Sequence, residues 1–173
     1  MKKISLLTIA FIITLMASTA SADSYNPTLY AGQNTPIGWV MIDNDNSKTT
    51  LTVRYYLFAP GWSIASTHMH VATSPFGFPM NNNGNPKVGQ FTYKTKHNPS
   101  VIDFTYVVNL TELDGWPVDT LYIAAHAVVL QVQNDGSIRE ETAWAACNPE
   151  DPDTQFPGSS WATFVEYHVH THP

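Results

Sequence analysis

Apolar and polar residues alternate with a period of two along most of the chain after residue 22. In TTLTVRYYLF (49–58), Leu51, Val53, Tyr55 and Leu57 fall on one face. DFTYVVNL (103–110) repeats this pattern. Because successive side chains of a strand point to opposite faces, the alternation predicts strands with one buried face. TLYIAAHAVVLQV (120–132) is apolar on both faces and therefore predicts a strand that is covered on both sides.

Turn-forming residues separate these segments, and the mature chain carries almost no helix signal. DNDNS (43–47) and QNDGS (133–137) have the composition of hairpin turns, the second with an Asp-Gly pair. The segments 74–89 and 147–160 are rich in Pro, Gly, Asn and Asp and predict two long loops. We therefore predict an all-β fold, a single antiparallel β-sandwich of roughly seven to nine strands.

The N-terminal residues carry the pattern of a secretory signal peptide. Lys2 and Lys3 precede an uncharged apolar run that ends in Ala20-Ser21-Ala22, a small-x-small cleavage signal. We expect residues 1–22 to be a signal peptide, residues 23–167 to form the β-sandwich domain, and residues 168–173 to be a histidine-rich tail. This organisation predicts a secreted protein, extracellular or periplasmic, with no membrane span after cleavage.

Charge and cysteine content narrow the classes of partner. The chain has 14 acidic and 8 basic residues, and cleavage would also remove Lys2 and Lys3. An acidic chain of this kind lacks the basic surface that nucleic-acid binding requires. Cys147 is the only cysteine, which excludes an internal disulfide. We expect an extracellular ligand or a surface partner. The sequence gives neither the identity of this partner nor the oligomeric state.

The chain carries a series of short motifs, STHMHVA, GNPKVGQF, AAHA, ETAW and FPGSSWATFVEY. Together these motifs resemble a family of secreted β-rich domains from bacterial and archaeal surface proteins, and the resemblance runs from about Leu29 to Tyr167. It implies a secreted β-rich domain and supplies no assigned activity. The chain departs from the family pattern in AACNPEDPD, which replaces a glycine-rich loop after ETAW, and in the added tail HVHTHP.

Three histidines form a candidate metal site. His68 and His70 are two apart in a predicted strand and so share one face, and His126 lies in the most apolar strand. A buried imidazole needs a hydrogen-bond partner or a metal, and neutral imidazole suits Zn²⁺ or Cu²⁺. The resemblance includes all three positions. We therefore predict that they converge on one ion. Glu141 is expected to accept a hydrogen bond from a ligating histidine without contacting the ion itself. The alternative is a core histidine at 126 bonded to a carbonyl or a Glu, beside two histidines that support the loop.

The tail carries a second possible metal cluster. His168, His170 and His172 fall on one face if the last strand continues, and three imidazoles in this register form a chelating edge. The alternative is a disordered end that binds metal only adventitiously. Because the family resemblance ends near Tyr167, removal of the tail histidines is expected to leave the fold intact.

The loops offer weaker candidates. Asp43–Asn46 and the acidic run of Glu150, Asp151 and Asp153 supply oxygen ligands for Ca²⁺, although without EF-hand spacing. Trp116, in DGWPVD, is the tryptophan most expected to be exposed and is a possible ligand contact. We find no nucleophile motif and no paired catalytic carboxylates, so no catalytic residue is predicted.

Two functions follow from these observations. The first is a secreted or cell-surface binding or structural module with a histidine-lined divalent metal site and no chemistry of its own. The alternative is a small secreted metalloenzyme, or a protein that handles Cu or Zn, built on His68, His70 and His126. The missing nucleophile motif favours the first.

Overall fold

A computed structural model describes residues 25–172, so the predicted signal peptide lies outside the described residues. The described chain is built of strands, with only short 3-10 helical turns between them at Val88–Gln90, Leu110–Glu112 and Pro152–Thr154. The strands are β1 Thr28–Ala31, β2 Thr35–Asn44, β3 Thr50–Leu57, β4 Trp62–Ala72, β5 Tyr93–Val101, β6 Asp103–Asn109, β7 Thr120–Val132, β8 Ile138–Ala146 and β9 Val165–His168. The all-β prediction is confirmed, and nine strands lie within the predicted number.

The strands form one continuous antiparallel sheet. Their order is β5-β4-β7-β8-β1-β2-β3-β6, and β9 pairs with the first residues of β7. The two end strands, β5 and β6, follow one another along the chain with only Ile102 between them. One stretch of chain thus pairs with β4 through its first part and with β3 through its second part. The sheet therefore curls on itself and nearly closes, and its two halves face each other across the core.

The inward faces of the strands fill this core. Leu51, Val53 and Tyr55 of β3 are completely buried, and Leu57 is nearly so, as their alternation predicts. β7 behaves differently, because both of its faces are buried: Ile123 and Ala125 point into the core, whereas Ala124 belongs to a second apolar cluster on the outer face. The apolar character of β7 on both faces is thereby explained.

The second cluster lies between the outer face of the sheet and the two long loops. It covers β4, β7 and β8 with aromatic residues that the loops contribute. Its buried members are Ala72, Phe78, Phe91, Ala124, Trp144, Phe156, Ala162 and Phe164. The rings of Phe78, Phe156 and Phe164 contact one another edge to face or tilted, with centroids 5.1–5.5 Å apart. The Pro- and Gly-rich segments predicted as loops thus cover the outer face of the sheet around Ala72, Ala124 and Trp144.

The two loops approach each other closely at Asn85 and Gly158. Asn85 of the first loop accepts a hydrogen bond from the Ser160 N–H of the second through Oδ1, at 2.9 Å. Gly158 lies directly beneath Asn85, and a Cβ on Gly158 would stand 2.1 Å from Asn85 Oδ1 and 2.7 Å from its backbone nitrogen. Only glycine permits this approach.

We predict that Gly158→Ala lowers the free energy of unfolding by roughly 1–3 kcal/mol, the usual cost of overpacking. The added methyl group must push the two loops apart. Urea unfolding followed by tryptophan fluorescence measures the change. Gly89→Ala is the matched control, because a Cβ there meets no atom within 4 Å. Equal stabilities of the two variants would show that the loops are not held at this contact.

Candidate functional site

The C-terminal segment is held against the end of β2 by a buried asparagine. Asn44 is only 2% exposed. Its Nδ2 donates to the backbone oxygen of His170 at 2.8 Å, and its Oδ1 accepts from the backbone N–H of His170 at 3.1 Å and from the Tyr167 hydroxyl at 2.8 Å. The Tyr167 oxygen in turn accepts from the backbone N–H of Asn44 at 3.0 Å. One side chain therefore clamps residues 167–170 to the β2–β3 turn.

The segment after β9 is thus part of the folded domain. Val169 is 9% exposed and belongs to the main core, and its N–H donates to the Asp119 carbonyl at 2.9 Å. The backbone N–H of His172 donates to Asn46 Oδ1 at 2.8 Å. The boundary predicted at residue 167 falls inside β9 (Val165–His168), and the residues beyond it make these contacts because the β2–β3 turn lies beside them.

This docking brings two tail histidines to an aspartate of β2. His172 Nε2 lies 3.2 Å from Asp43 Oδ1, and His170 Nε2 lies 4.0 Å from the same oxygen. The two imidazole rings are 4.7 Å apart between centroids. The three ligand atoms all lie within 4.8 Å of one another, which no other set of three or more His, Cys, Asp or Glu residues achieves within residues 25–172. A group with this geometry could hold a metal ion.

The hydrogen bonds of His170 define which of its nitrogens is free. Nδ1 lies 3.1 Å from the His168 carbonyl, and because a carbonyl only accepts, Nδ1 carries the proton. The neutral ring therefore presents a lone pair at Nε2, on the side of Asp43. A carbonyl on one nitrogen is the usual arrangement that orients a metal-ligating histidine.

Two buried atoms of this group have no hydrogen-bond partner. They are His170 Nε2 and Asp43 Oδ1, which face each other across 4.0 Å. Two acceptors that face each other in this way leave a place for a cation, and an unpaired buried polar atom costs about 1–3 kcal/mol. His172 Nε2 is also 2.6 Å from the Asn44 carbonyl, to which a protonated Nε2 donates. A metal ion bound by His172 would replace that proton.

The donor set has two imidazole nitrogens and one carboxylate oxygen, which suits a divalent transition metal such as Zn²⁺ or Cu²⁺. Ligands at about 2.0–2.1 Å from a tetrahedral ion lie about 3.3 Å apart. The distance from Asp43 to His172 already matches this value, whereas His170 needs to approach by several tenths of an ångström.

The residues that the structure brings together at the tail therefore differ from the predicted set of three histidines. His170 and His172 are members, but His168 is exposed and its Nδ1 lies 3.0 Å from the Thr120 hydroxyl. Asp43, considered from the sequence only as a Ca²⁺ ligand, takes its place. Sequence spacing could not show this, because Asp43 and His170 are far apart along the chain.

The acidic segments considered for Ca²⁺ are used in local turns. Asp45 accepts hydrogen bonds from Ser47, Thr49 and Thr50, and these bonds, that of the Ser47 hydroxyl foremost, lower the pKa of Asp45 to about 2. Asp151 Oδ1 accepts from the backbone N–H of Asp153 at the start of a 3-10 turn. Glu150, Asp151 and Asp153 do not form a ligand group among the described residues.

Two of the three internal histidines meet. His68 of β4 is the register partner of His126 of β7, and their Nδ1 atoms lie 3.3 Å apart, close enough for one N–H to donate to the other nitrogen. His126 is 6% exposed, and its ring packs 4.7 Å from that of Trp144. His126 is thus a buried histidine whose hydrogen-bond partner is another histidine.

His70 does not join them. It lies on the same face of β4, as its spacing predicts, but its Nε2 donates to the Gly77 carbonyl and its Nδ1 accepts from the Thr92 hydroxyl, at 3.2 and 3.1 Å. Both ring nitrogens are occupied, so His70 supports the loop. His68, His70 and His126 are consequently not among the described ligand groups of three.

Glu141 lies apart from the histidine pair. Its register partner is Val129, on the opposite face of β7 from His126, and its carboxylate pairs with Arg139. A strand residue three positions from Trp144, the partner of His126, points to the other side of the sheet. The predicted hydrogen bond between Glu141 and one of the three histidines is therefore not supported by a contact between them.

Trp116 is partly buried against the main core. It lines an open cleft of about 350 Å³ with Pro117, Val118, Asp119 and the β2–β3 turn residues Ser47–Thr49. A contact with a ligand at Trp116 stays a prediction.

Burial disfavours the charged form of the internal histidines. It lowers the pKa of His126 to about 3, with a further contribution from the neighbouring His68. The pKa of His68 is lowered by burial and by Lys94 and Lys96, and that of His70 by burial. These rings are neutral at pH 7.

We predict that the free energy of unfolding falls as the pH decreases from about 6.5 towards 3. In this interval the unfolded chain protonates His126 and the folded chain does not, which costs up to about 1.4 kcal/mol per pH unit. Urea unfolding between pH 7 and 5, with EDTA present, measures the slope above the range of most carboxylates. His126→Gln should have a shallower slope than the wild type, and identical slopes would contradict the assignment.

Removal of residues 169–173 is expected to lower the free energy of unfolding by about 2–4 kcal/mol. The truncation exposes the site of Val169 and leaves the polar groups of Asn44 without the tail. Thermal and urea unfolding in EDTA measure the effect without metal. An unchanged midpoint would restore the sequence-based expectation that the tail is dispensable.

Comparisons of the chain with protein-family models, with curated proteins and with solved structures found no match. The resemblance described above accordingly stays a prediction. Within residues 25–172, no helix has the length and apolar character needed to cross a membrane.

Proposed function

We propose that the protein is a secreted or cell-surface binding module that holds one divalent transition-metal ion, Zn²⁺ or Cu²⁺, through Asp43, His170 and His172. The observation that carries the proposal is the pair of buried, unpartnered atoms, Asp43 Oδ1 and His170 Nε2, with His172 Nε2 beside them. The ion would satisfy both atoms at once.

The ion would act on the fold rather than on a substrate. Its ligands come from the end of β2 and from the last described residues of the chain, so coordination joins two segments that are distant in sequence. A ligand that binds only the folded state stabilises it by mass action. The metal would thereby complete the clamp that Asn44 begins, which supports a structural role in a module that works outside the cell, as the N-terminal sequence pattern predicts.

Metal binding can be measured by titration calorimetry on protein purified without a tag and stripped with EDTA. We expect one Zn²⁺ or Cu²⁺ per chain and no heat with Ca²⁺, because two of the three ligands are imidazoles. Asp43→Asn, His170→Ala and His172→Ala should each weaken binding by at least about a hundredfold, the upper range for loss of a partner behind the ligands.

His168→Ala is the matched control, because this residue lies in the same segment but contacts Thr120 instead. His126→Ala is a second control, which tests the internal pair. Stoichiometric binding that survives in His170→Ala, or that is lost in His126→Ala alone, would contradict the proposed site.

A further inference from the structure

The outer face of β2 and β3 carries an exposed group of aromatic rings. Trp39 and Phe58 are each 42% exposed, and Tyr56, two residues before Phe58, is the register partner of Trp39. The ring centroids of Trp39 and Phe58 are 4.7 Å apart, and those of Trp39 and Tyr56 are 6.3 Å apart with only 18° between the ring planes. We call these three residues the aromatic platform.

The two long loops cover another part of the sheet and leave the platform exposed. The long loops bury the outer face of β4, β7 and β8 around Ala72, Ala124 and Trp144 under the second apolar cluster. The rings of Trp39, Tyr56 and Phe58 belong to neither apolar cluster. Large aromatic side chains on an uncovered strand face therefore point to a surface that meets a ligand.

Hydrogen-bonding groups lie beside the rings. Arg54 and Asp103 form an ion pair on the same face, with Nε to Oδ1 at 2.8 Å, and their side chains are 42% and 38% exposed. The Arg54 guanidinium also lies 5.5 Å from the centre of the Tyr56 ring. The flat rings offer a stacking surface, and the neighbouring guanidinium and carboxylate groups offer hydrogen-bond donors and acceptors.

The exposed rings present a small, flat area. With roughly 150–250 Å² for each aromatic side chain, the exposed parts of Trp39 and Phe58 amount to on the order of 170 Å². An area of this size matches the face of a small, flat ligand or of one unit of a polymer.

Charge excludes stacked nucleic-acid bases. Single-stranded nucleic acid needs a positive groove along its backbone beside the stacking rings. Here the neighbouring cation, Arg54, is paired with Asp103, and the chain as a whole carries a net charge of −6. The platform thus lacks the free positive groove that a nucleic-acid strand needs.

We propose that the aromatic platform binds neutral carbohydrate. The apolar C–H faces of a pyranose ring stack on the negative faces of Trp39 and its neighbours, and the sugar hydroxyls bond to Arg54 and Asp103. This site lies on the outer face of the β2–β3 pair, and the proposal does not depend on a metal ion.

Affinity gel electrophoresis of the full secreted protein tests the proposal. The gels contain hydroxyethyl cellulose, arabinoxylan or glucomannan as neutral polymers, polygalacturonate as an acidic one, and EDTA throughout. We expect at least one neutral polymer to retard the wild type and polygalacturonate not to do so. Trp39→Ala should weaken that retardation at least about tenfold, and Trp39→Phe should restore part of it.

Phe76→Ala is the matched control, since Phe76 is an 85% exposed aromatic residue in the loop on another part of the surface. Thermal unfolding of each variant shows that the fold is kept, and Tyr56→Ala provides a second platform variant if Trp39→Ala does not fold. Absence of retardation by all three neutral polymers, or equal losses in Trp39→Ala and Phe76→Ala, would overturn the proposal.

Discussion

The structure depends on the near closure of a single sheet by one stretch of chain. β5 and β6 run on from each other, and the first pairs with β4 while the second pairs with β3. This pairing removes most of the free edges that an open sheet would present. Because the sheet nearly closes, one face of each strand points to a shared core, and the other face points to solvent or to the loops. Side chains that can contact a ligand or a metal ion therefore lie on the outer faces or at the ends of the strands.

The outer surface is divided into two parts by the long loops. Over β4, β7 and β8, the loops build a second apolar cluster, and the histidine pair of His68 and His126 lies at this covered face. In that environment the imidazoles stay neutral and bond to each other, which makes them part of the packing. Over β2 and β3, the rings of Trp39 and Phe58 stay exposed. The same sheet thus has a region covered by loops and a region with exposed aromatic rings.

The candidate metal centre lies where the end of β2 meets the C-terminal segment. Asn44 fixes the backbone of His170 through two hydrogen bonds, and this backbone position sets the distance between His170 and Asp43. The alternation of a strand places Asp43 on the outer face and Asn44 on the inner side of β2. One neighbouring pair of residues thereby supplies both the contact that holds the tail and a candidate metal ligand.

Local pattern determined the strands, because burial of one face imposes a period of two. Val53 and Tyr55 are core residues and the segment 120–132 is one strand, as their sequences indicate. Pattern also placed His68 and His70 on one face. It could not tell that Gly77 and Thr92 occupy both nitrogens of His70, since these partners come from the loop and its far end.

The sequence alone thus determined that the segments 49–58, 103–110 and 120–132 contain strands and that His68 and His70 share a strand face, since both follow from neighbouring residues. Only the tertiary structure decided which side chains meet across the sheet. It paired His126 with His68, placed Glu141 on the opposite face, and brought Asp43 to His170. These contacts depend on strand order and register, which arise when the whole sheet closes around its core and are not encoded in any single segment.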